Sequence, residues 1–438
     1  MTHHVTDDLN DMARAAFAVI RAEGEATRKM ISTQVGVSLP SVTNVMNDLE
    51  ARELVHKVRK DQGPRGRSTL VYGISPRAGW ALGIDIGTTQ VTLEARGLDG
   101  TRRDRVGHGV HGDDPSSAAR IAAETATSLV ESVSDAGPLR AVALGVNQIV
   151  PKDFEHGSVE ITSGSDQRSD PGAPVAGPSG AGALETGTLE TGDRADRAEY
   201  TAPSPARRIT AAFVAAARLP AEVPLLVENN VNCAAVAEHR HGVLQGGDDI
   251  AYLQIGVHIG LGYFLDGALR RGGSGASGEV ARIPLSWWSE VHAPLGELER
   301  YLGSPGLLRS AAAVWPEDSA APRTPEELFR LAADGQEPAR TVVARHAVAI
   351  ARLAAAGTAV IDPAVLALGG GLSQNAYFVR LVEEEFHRHN KRTELVPSTR
   401  GQAATVEGAA ILAEDLALTR LLGDRYSPLL PQPALWTP

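Results

Sequence analysis

Three glycine-rich turns, each closing an apolar strand, constrain this chain more than any other feature. WALGIDIGTTQVTLEARGLDG (80–100) reads as a strand, a tight Gly-Thr-Thr turn and a second strand. DIAYLQIGVHIGLGYFLDGALRRGGSGASGEV (249–280) reads as a second hairpin, whose turn residues Gly256, Gly260 and Gly262 let backbone amides approach a ligand closely. IDPAVLALGGGLSQN (361–375) gives a buried strand that ends in Gly369, Gly370 and Gly371 before a helix. Each turn alone has a plain explanation as a tight bend, but three in this order are far more specific. Between them, SSAARIAAETATSLVESV (116–133) reads as a helix and LRAVALGVN (139–147) as a strand, so the class is α/β.

A chain of 438 residues is too long for one core of ordinary size, which predicts two or three domains. Hydrophobic content of 43% and charged content of 22% describe a globular protein, not a disordered one. No apolar run reaches the roughly 18 residues of a membrane span. The polar start MTHHVTDDLN is no secretory signal, so a cytoplasmic protein without membrane association is expected. The single cysteine, Cys233, excludes an internal disulfide and any multi-cysteine metal site. A net charge of -11 argues against a nucleic-acid surface over the whole chain. The charge is uneven, however: residues 1–76 hold ten Lys/Arg and nine Asp/Glu, a net of +1, which leaves -11 - 1 = -12 for the rest.

Within that first part, Arg52, Lys57, Arg59, Lys60, Arg65 and Arg67 face only Glu53 and Asp61. A short basic run is commonly a solvated surface, but its neighbours point elsewhere. DMARAAFAVIRA (11–22) reads as a helix. GEATRKMISTQVGVS offers a second, capped by Thr27 and ended by Gly36. Ser38 can cap a third, with Pro40 in its first turn. There Val42, Val45, Met46 and Leu49 fall at i, i+3, i+4 and i+7, a helical core stripe. The other face carries Ser41, Thr43, Asn44 and Asn47, short polar side chains suited to base edges. Two strands, ELVHKV and STLVYGI, then flank RKDQGPRGR. The pattern is a winged helix-turn-helix over 1–76, with Arg65 and Arg67 at a wing tip suited to a narrow minor groove. A helical hairpin used only for packing is the alternative.

Residues 163–206 are rich in Gly, Pro, Ala and acidic residues, lack hydrophobic periodicity and repeat LETG. They read as a flexible insertion within the region 77–438. After them, VENNVNCAAVAEHRHG (227–242) places Asn229 and Asn230 where an apolar strand, PLLVE, opens onto a small-residue helix. Strand ends of this kind are where α/β proteins do chemistry, and that chemistry usually wants a carboxylate.

These motifs together resemble the ROK-family transcriptional regulators, sugar-responsive repressors of the NagC, Mlc and XylR type with a sugar-kinase-like domain. The resemblance runs over nearly the whole chain. LGIDIGTTQ resembles the family's first phosphate motif, GVHIGLG its second, ALGGGLSQN its adenosine-side motif, and GGSGASGE its sugar-contacting Gly-Glu. It implies a two-lobed actin-like ATPase fold after the winged helix-turn-helix. It also implies a vestigial nucleotide site at Asp85, Gly87, Thr88, Gly260, Gly262, Gly369 and Gly370.

The departures from the family pattern carry the functional reading. Asn230 occupies the position of the kinases' catalytic aspartate, the general base, and an amide has no proton-accepting form near neutral pH. Thr88 replaces a glycine, Gln90 replaces a lysine, and Val257 and His258 interrupt the second glycine turn. Arg282 stands where the family's sugar-contacting and zinc-binding histidine would be, and the zinc cysteines are absent, so no metal is expected. GVNQIVPKDFEHG replaces the sugar loop.

The expectation is a catalytically inactive, cofactor-free sensor. Asn229, Asn230, Glu279 and Arg282 would bind a sugar-like effector; capping of the following helix is the plain alternative for the asparagines. The protein would bind operator DNA as a homodimer or dimer of dimers and repress carbohydrate uptake or catabolism genes. Two alternatives stay open. One is an ATP-dependent sugar kinase of hexokinase or glucokinase type with a fused DNA-binding domain. The other is a ligand-independent DNA binder whose second half only dimerises.

Overall fold

The computed structural model describes residues 9–62, 68–110, 115–151, 154, 204–283, 297–423, 426, 429 and 434–436. The N-terminal unit contains α1 (Asp11–Glu23), β1 (Glu25–Thr27), α2 (Arg28–Val35), α3 (Leu39–Ala51), β2 (Val55–Gln62) and β3 (Ser68–Ile74). Its helix starts follow the sequence signals. Thr27 accepts from Met30 N and Ser38 from Ser41 N, while Gly36 ends α2 in the left-handed region at φ 75°. Val42, Val45, Met46 and Leu49 are all buried. The sequence pattern missed β1, which pairs antiparallel with β3 in a three-stranded sheet ordered β1-β3-β2. Three residues carry no readable period, and their extended state comes from that pairing.

The first lobe follows with β4 (Trp80–Ile86), β5 (Gln90–Gly97), β6 (Arg102–Gly109), α4 (Pro115–Ser132), β7 (Leu139–Val146), α5 (Pro205–Ala216), β8 (Leu225–Asn229) and α6 (Asn230–His241). Most of the expected insertion lies outside the described residues, but its end does not. Ser204 caps α5 by accepting from Arg207 N, so Pro205 and Ala206 are already helical.

The second lobe holds β9 (Ile250–Ile255), β10 (Ile259–Leu265), β11 (Ala268–Leu269), α7 (Glu297–Leu302), α8 (Ser304–Ala312), α9 (Pro325–Ala333), α10 (Glu337–Ile361), β12 (Val365–Gly369), α11 (Ala376–His389) and β13 (Glu394–Pro397). The chain then returns to the first lobe through α12 (Ala404–Leu422) and β14 (Leu435–Trp436). The first-lobe sheet is ordered β14-β8-β7-β4-β5-β6 and the second β11-β10-β9-β12-β13. Numbered within each lobe, both read 3-2-1-4-5 with a parallel 1-4-5 half, and β14 adds one antiparallel strand to the first. This duplicated plan is the expected actin-like architecture.

α10 corrects one reading. It is the one helix among the described residues long and apolar enough to cross a membrane. Val343, Ile350 and Ala354 on its inner face belong to the second lobe's core.

α12 holds the molecule together. Sixteen of its 19 residues are buried, so it is mostly apolar all round, as a helix enclosed by protein must be, and its buried carboxylates Glu414 and Asp415 are paired or hydrogen-bonded. Small residues let neighbours come close. A Cβ on Gly408 would stand 1.7 Å from Cys233 O of α6, and one on Gly83 of β4 would stand 2.1 Å from Ala410 N. Its far end packs on the N-terminal unit: Phe17 and Ile20 of α1 share one buried cluster with Leu418, Leu421 and Leu422.

Candidate ligand cleft and nucleic-acid interface

The cleft begins where three parallel strands end together. Asp85 pairs with Gly145, Gly145 with Glu228, and Val146 with Asn229. Crevices outside the carboxyl ends of such strands are where ligands bind. Asp85, at the end of β4, is desolvated enough that its carboxyl is pushed up to about 7. Gly87 N donates to Gln90 O across the tight β4–β5 turn, and Thr88 is exposed beyond it.

Glu228 is a buried carboxylate, but it is committed. Oε1 accepts from Asn229 N at 2.8 Å and Asn232 Nδ2 at 3.0 Å, and Oε2 lies 3.1 Å from Arg271 Nε. Arg271 in turn donates to Val150 O at 3.0 Å. This pair ties the end of β8 to the segment that leaves the second lobe after β11.

The two asparagines have different jobs. Asn229 is the N-cap of α6: its Oδ1 accepts from Val231 N at 2.8 Å and its Nδ2 donates to Gln148 O at 3.2 Å. One bond at each end of the amide is used, so Asn229 caps α6, and one N–H and one lone pair stay for a ligand. Asn230 is half-buried at the first position of α6, and its amide makes no hydrogen bond among the described residues. Its backbone oxygen accepts from Thr405 Oγ1 of α12 at 3.5 Å.

The glycine expectation needs correcting in the second lobe. A Cβ on Gly260 would meet Val231 Cγ2 at 2.8 Å, and one on Gly262 would meet Ala235 Cβ at 2.9 Å. On the side a Cβ would occupy, these glycines therefore admit α6 against β10. Gly369 lies against Tyr252, and Gly370, at φ 87°, turns the chain tightly over Ile255. The approachable backbone is at Gly256 and Gly371, which face each other with little else nearby.

His258 bridges the lobes. Its Nε2 lies 3.1 Å from Asn147 Nδ2 at the end of β7, and its Nδ1 lies 2.9 Å from Glu299 Oε1 of α7. A neutral ring satisfies both partners by accepting from Asn147 and donating Nδ1–H to Glu299. Burial raises the carboxyl of Glu279, with Arg282 opposing and Glu299 adding to the rise. The Glu279 side chain does not cap the short helical turn that follows it, and Arg282 is exposed.

No zinc site fits. The segment from Gly278 to Arg282 supplies one donor, Glu279. Cys233 is sealed between α6 and α12, with burial pushing its thiol well up. Among the described residues, no three His, Cys, Asp or Glu side chains are grouped to hold a metal.

The outward side of α3 differs from its sequence reading in detail. Asn44 and Asn47 are exposed and free of side-chain hydrogen bonds among the described residues. Ser41 Oγ is instead shared with Ser38 Oγ at 2.9 Å, and Thr43 Oγ1 donates to Leu39 O at 2.9 Å. The basic surplus is also partly neutralised: Arg52 pairs with Asp48, Lys57 with Glu50, and Arg59 with Glu25 and Asp61. Lys29 and Lys60 are exposed without an ion-pair partner among the described residues. Arg65 and Arg67 lie outside the described residues.

Sequence reasoning did not find the Glu228–Arg271 pair or the Asn147–His258–Glu299 bridge. His258 had shown itself only as an interruption of a glycine turn. Its partners lie 111 and 41 positions away, and no local pattern links them.

Residues 210–416 match the ROK family model. The N-acetyl-D-glucosamine kinase of Photobacterium profundum is 29% identical over 202 residues, 42% of this chain and 65% of that protein. The xylose repressor of Bacillus subtilis is 22% identical over 264 residues, 60% of this chain and 57% of that protein. The chain spans 35% to 66% of the length of these and other curated relatives that it matches. The crystal structure of a ROK family transcriptional regulator, a homolog of E. coli MLC protein, superposes with a TM-score of 0.66 at 17% identity. That alignment covers 95% of this chain and 98% of the other, so the fold is shared from the N-terminal unit through both lobes.

Proposed function

We propose that this chain, which carries a ROK family domain over residues 210–416, is a cytoplasmic DNA-binding transcriptional repressor of carbohydrate uptake or catabolism genes. Its domains would be the winged helix-turn-helix, 1–76, and a sensing and dimerising region, 77–438. A small ligand, a sugar or phosphosugar, would control it from a kinase-like cleft that does not catalyse. The carrying observation is Asn230: a half-buried amide at the mouth of the strand ends, free among the described residues and beside a carboxylate, Glu228, already committed to Arg271. An amide donates and accepts, which suits hydroxyls, and cannot serve as a base. The protein would act as a homodimer or dimer of dimers, with α3 in the major groove of a pseudo-palindromic site and Arg65 and Arg67 in the minor groove.

The test is selection of duplexes from a random pool by the full chain, then operator titration against a panel of sugars and sugar phosphates. An enriched palindrome whose binding shifts with one sugar class supports the reading. Binding that ignores every effector favours a DNA binder whose second half only dimerises.

One observation favours a second reading, an ATP-dependent sugar kinase with a fused DNA-binding unit. The Asp85 carboxyl, held up to about 7, has the proton affinity of a general base near neutral pH. A coupled ATP-consumption assay with hexoses and N-acetylhexosamines separates the two. Sugar-dependent turnover that Asp85→Asn abolishes would establish the kinase.

A further inference from the structure

The outward side of α3 is not uniformly polar. Leu39, its first residue, is 51% exposed although leucine is usually buried, and Pro40 beside it is exposed too. The core stripe one face away is complete without Leu39, so its exposure is no packing defect of the helix. Residues 39, 40, 43, 44 and 47 fall on one side of a 3.6-residue helix. The hydroxyls of the first turns are already used. Thr43 Oγ1 donates to the carbonyl of Leu39 and Ser41 Oγ is shared with the cap Ser38, which leaves Thr43 its methyl to offer. The groups still free are the amides of Asn44 and Asn47.

We propose that Leu39 and the methyl of Thr43 read thymine 5-methyl groups in the major groove, next to adenines read by Asn44 and Asn47. The inference rests on the DNA-binding reading above and specifies what that site recognises. Thymine is the base that offers the major groove an apolar group, and a side-chain amide matches the N6/N7 pair of adenine. An apolar first turn followed by two free amides therefore fits consecutive A·T pairs, with methyls and adenines on alternate strands. The surroundings favour a polyanion over an apolar protein partner, since Lys29 and Lys60 are exposed and unpaired among the described residues. Hydroxyls bound to their own helix would select poorly among bases; a methyl and a leucine select for one.

The test replaces thymine by deoxyuridine, which removes only that methyl. An operator is selected from random duplexes with the full chain. Thymines are then exchanged one at a time, and affinity is read by fluorescence anisotropy at constant salt. At one or two positions per half-site, exchange should weaken wild-type binding about 4-fold, the factor corresponding to the roughly 0.8 kcal/mol of one buried methylene-sized group. Leu39→Ala should bind the thymine operator less tightly and no longer distinguish thymine from deoxyuridine at its position. Thr43→Val keeps the methyl and removes the hydroxyl, so it should retain the thymine preference. Equal wild-type affinity for every exchanged operator overturns the proposal, with specific DNA binding intact. Loss of the thymine preference in Thr43→Val assigns the reading to the hydroxyl and overturns the Thr43 part. A pool that yields no operator overturns this proposal together with the DNA-binding reading beneath it.

Discussion

Arg21 and Glu414 stand 393 positions apart in the chain, and the guanidinium of one lies 2.5 Å from the carboxylate of the other. Glu414 also accepts from Arg96 Nε at 2.8 Å, and Arg96 lies 3.6 Å from Glu94. Arg105 binds both Glu94 and Glu407, and Arg400 lies 3.6 Å from Glu407. A continuous set of charges therefore runs along α12, from the helix α1 of the N-terminal unit toward the end where Thr405 meets Asn230. A helix of 19 residues spans about 28 Å at 1.5 Å per residue. The proposed ligand site at one end and the docking of the N-terminal unit at the other thus share a single rigid element.

Removing Glu414 is expected to cost more than removing Arg21. Glu414→Ala leaves Arg96 buried without its closest carboxylate, and a broken buried pair costs about 3–5 kcal/mol. Arg21 is partly exposed, and its loss leaves Glu414 still paired with Arg96. Arg21→Ala should therefore cost about 1 kcal/mol and should loosen the N-terminal unit selectively. Denaturant unfolding gives the two values, and hydrogen exchange over 11–23 gives the loosening. Equal costs for the two variants would show that Arg96 and Glu414 do not form the centre of the network.

Asn230→Asp is expected to blunt the effector response without creating a kinase. A ligand oxygen that received the amide N–H would face a carboxylate, a mismatch of about 1–3 kcal/mol, or roughly 5- to 150-fold in affinity. Phosphoryl transfer also needs a positioned phosphate cradle, and Gly260 and Gly262 are filled by α6. Operator binding is titrated with and without effector, beside an ATP-consumption assay. An unchanged effector response in the variant would remove Asn230 from the ligand site.

Replacing the lobe-bridging imidazole should free the α7 end of the second lobe. His258→Phe loses both hydrogen bonds, one to Asn147 and one to Glu299. The expected result is faster amide exchange over 256–259 and 297–302, with α3 unaffected. Exchange that does not change would mean the lobes are held without His258.

Acid should weaken the second lobe through His346. Burial pushes its imidazole from 6.5 down to about 4, and Nε2 has no hydrogen-bond partner among the described residues. The unfolded chain takes up the proton first, so stability is complete above pH 6.5 and falls as pH drops from 6.5 to 4, by about 3 kcal/mol at most. Asp415, raised to about 6 by burial, acts with the opposite sign over part of that range. The measurement is therefore the difference between wild type and His346→Leu across pH 4–7. The leucine variant should lose less stability on acidification, and parallel curves would contradict the assignment.

Much of the fold was legible because its signals are local. Ser38, Pro40 and a four-residue stripe specify α3, and three glycine turns mark both lobes. The arginine-rich edge strand β6, RRDRVGHG, shows no alternation, since it is exposed along most of its length. At the site, the sequence exposed the unusual residues but not their partners. Asn229 and Asn230 look alike as letters; only position separates a cap from a free amide. Gly260 and Gly262 look like ligand-facing glycines, yet the close approach they permit is that of α6. Such distinctions depend on what packs opposite, which one sequence records only at long range.

The burial of α12 has a consequence for synthesis. Gly83 and Ala410, in contact when folded, are 327 positions apart, and the N-terminal unit's docking partner is translated after both lobes. At roughly 5–20 residues per second, the interval between the emergence of α1 and α12 from the ribosome is on the order of 20–80 s. During that time the small local unit can fold, while Phe17, Ile20 and the exposed side of β4 wait uncovered. A nascent chain stalled in this window would present α3 without the helix on which the N-terminal unit docks. Release of α12 is thus the event that completes the first lobe and the docking site of the N-terminal unit together.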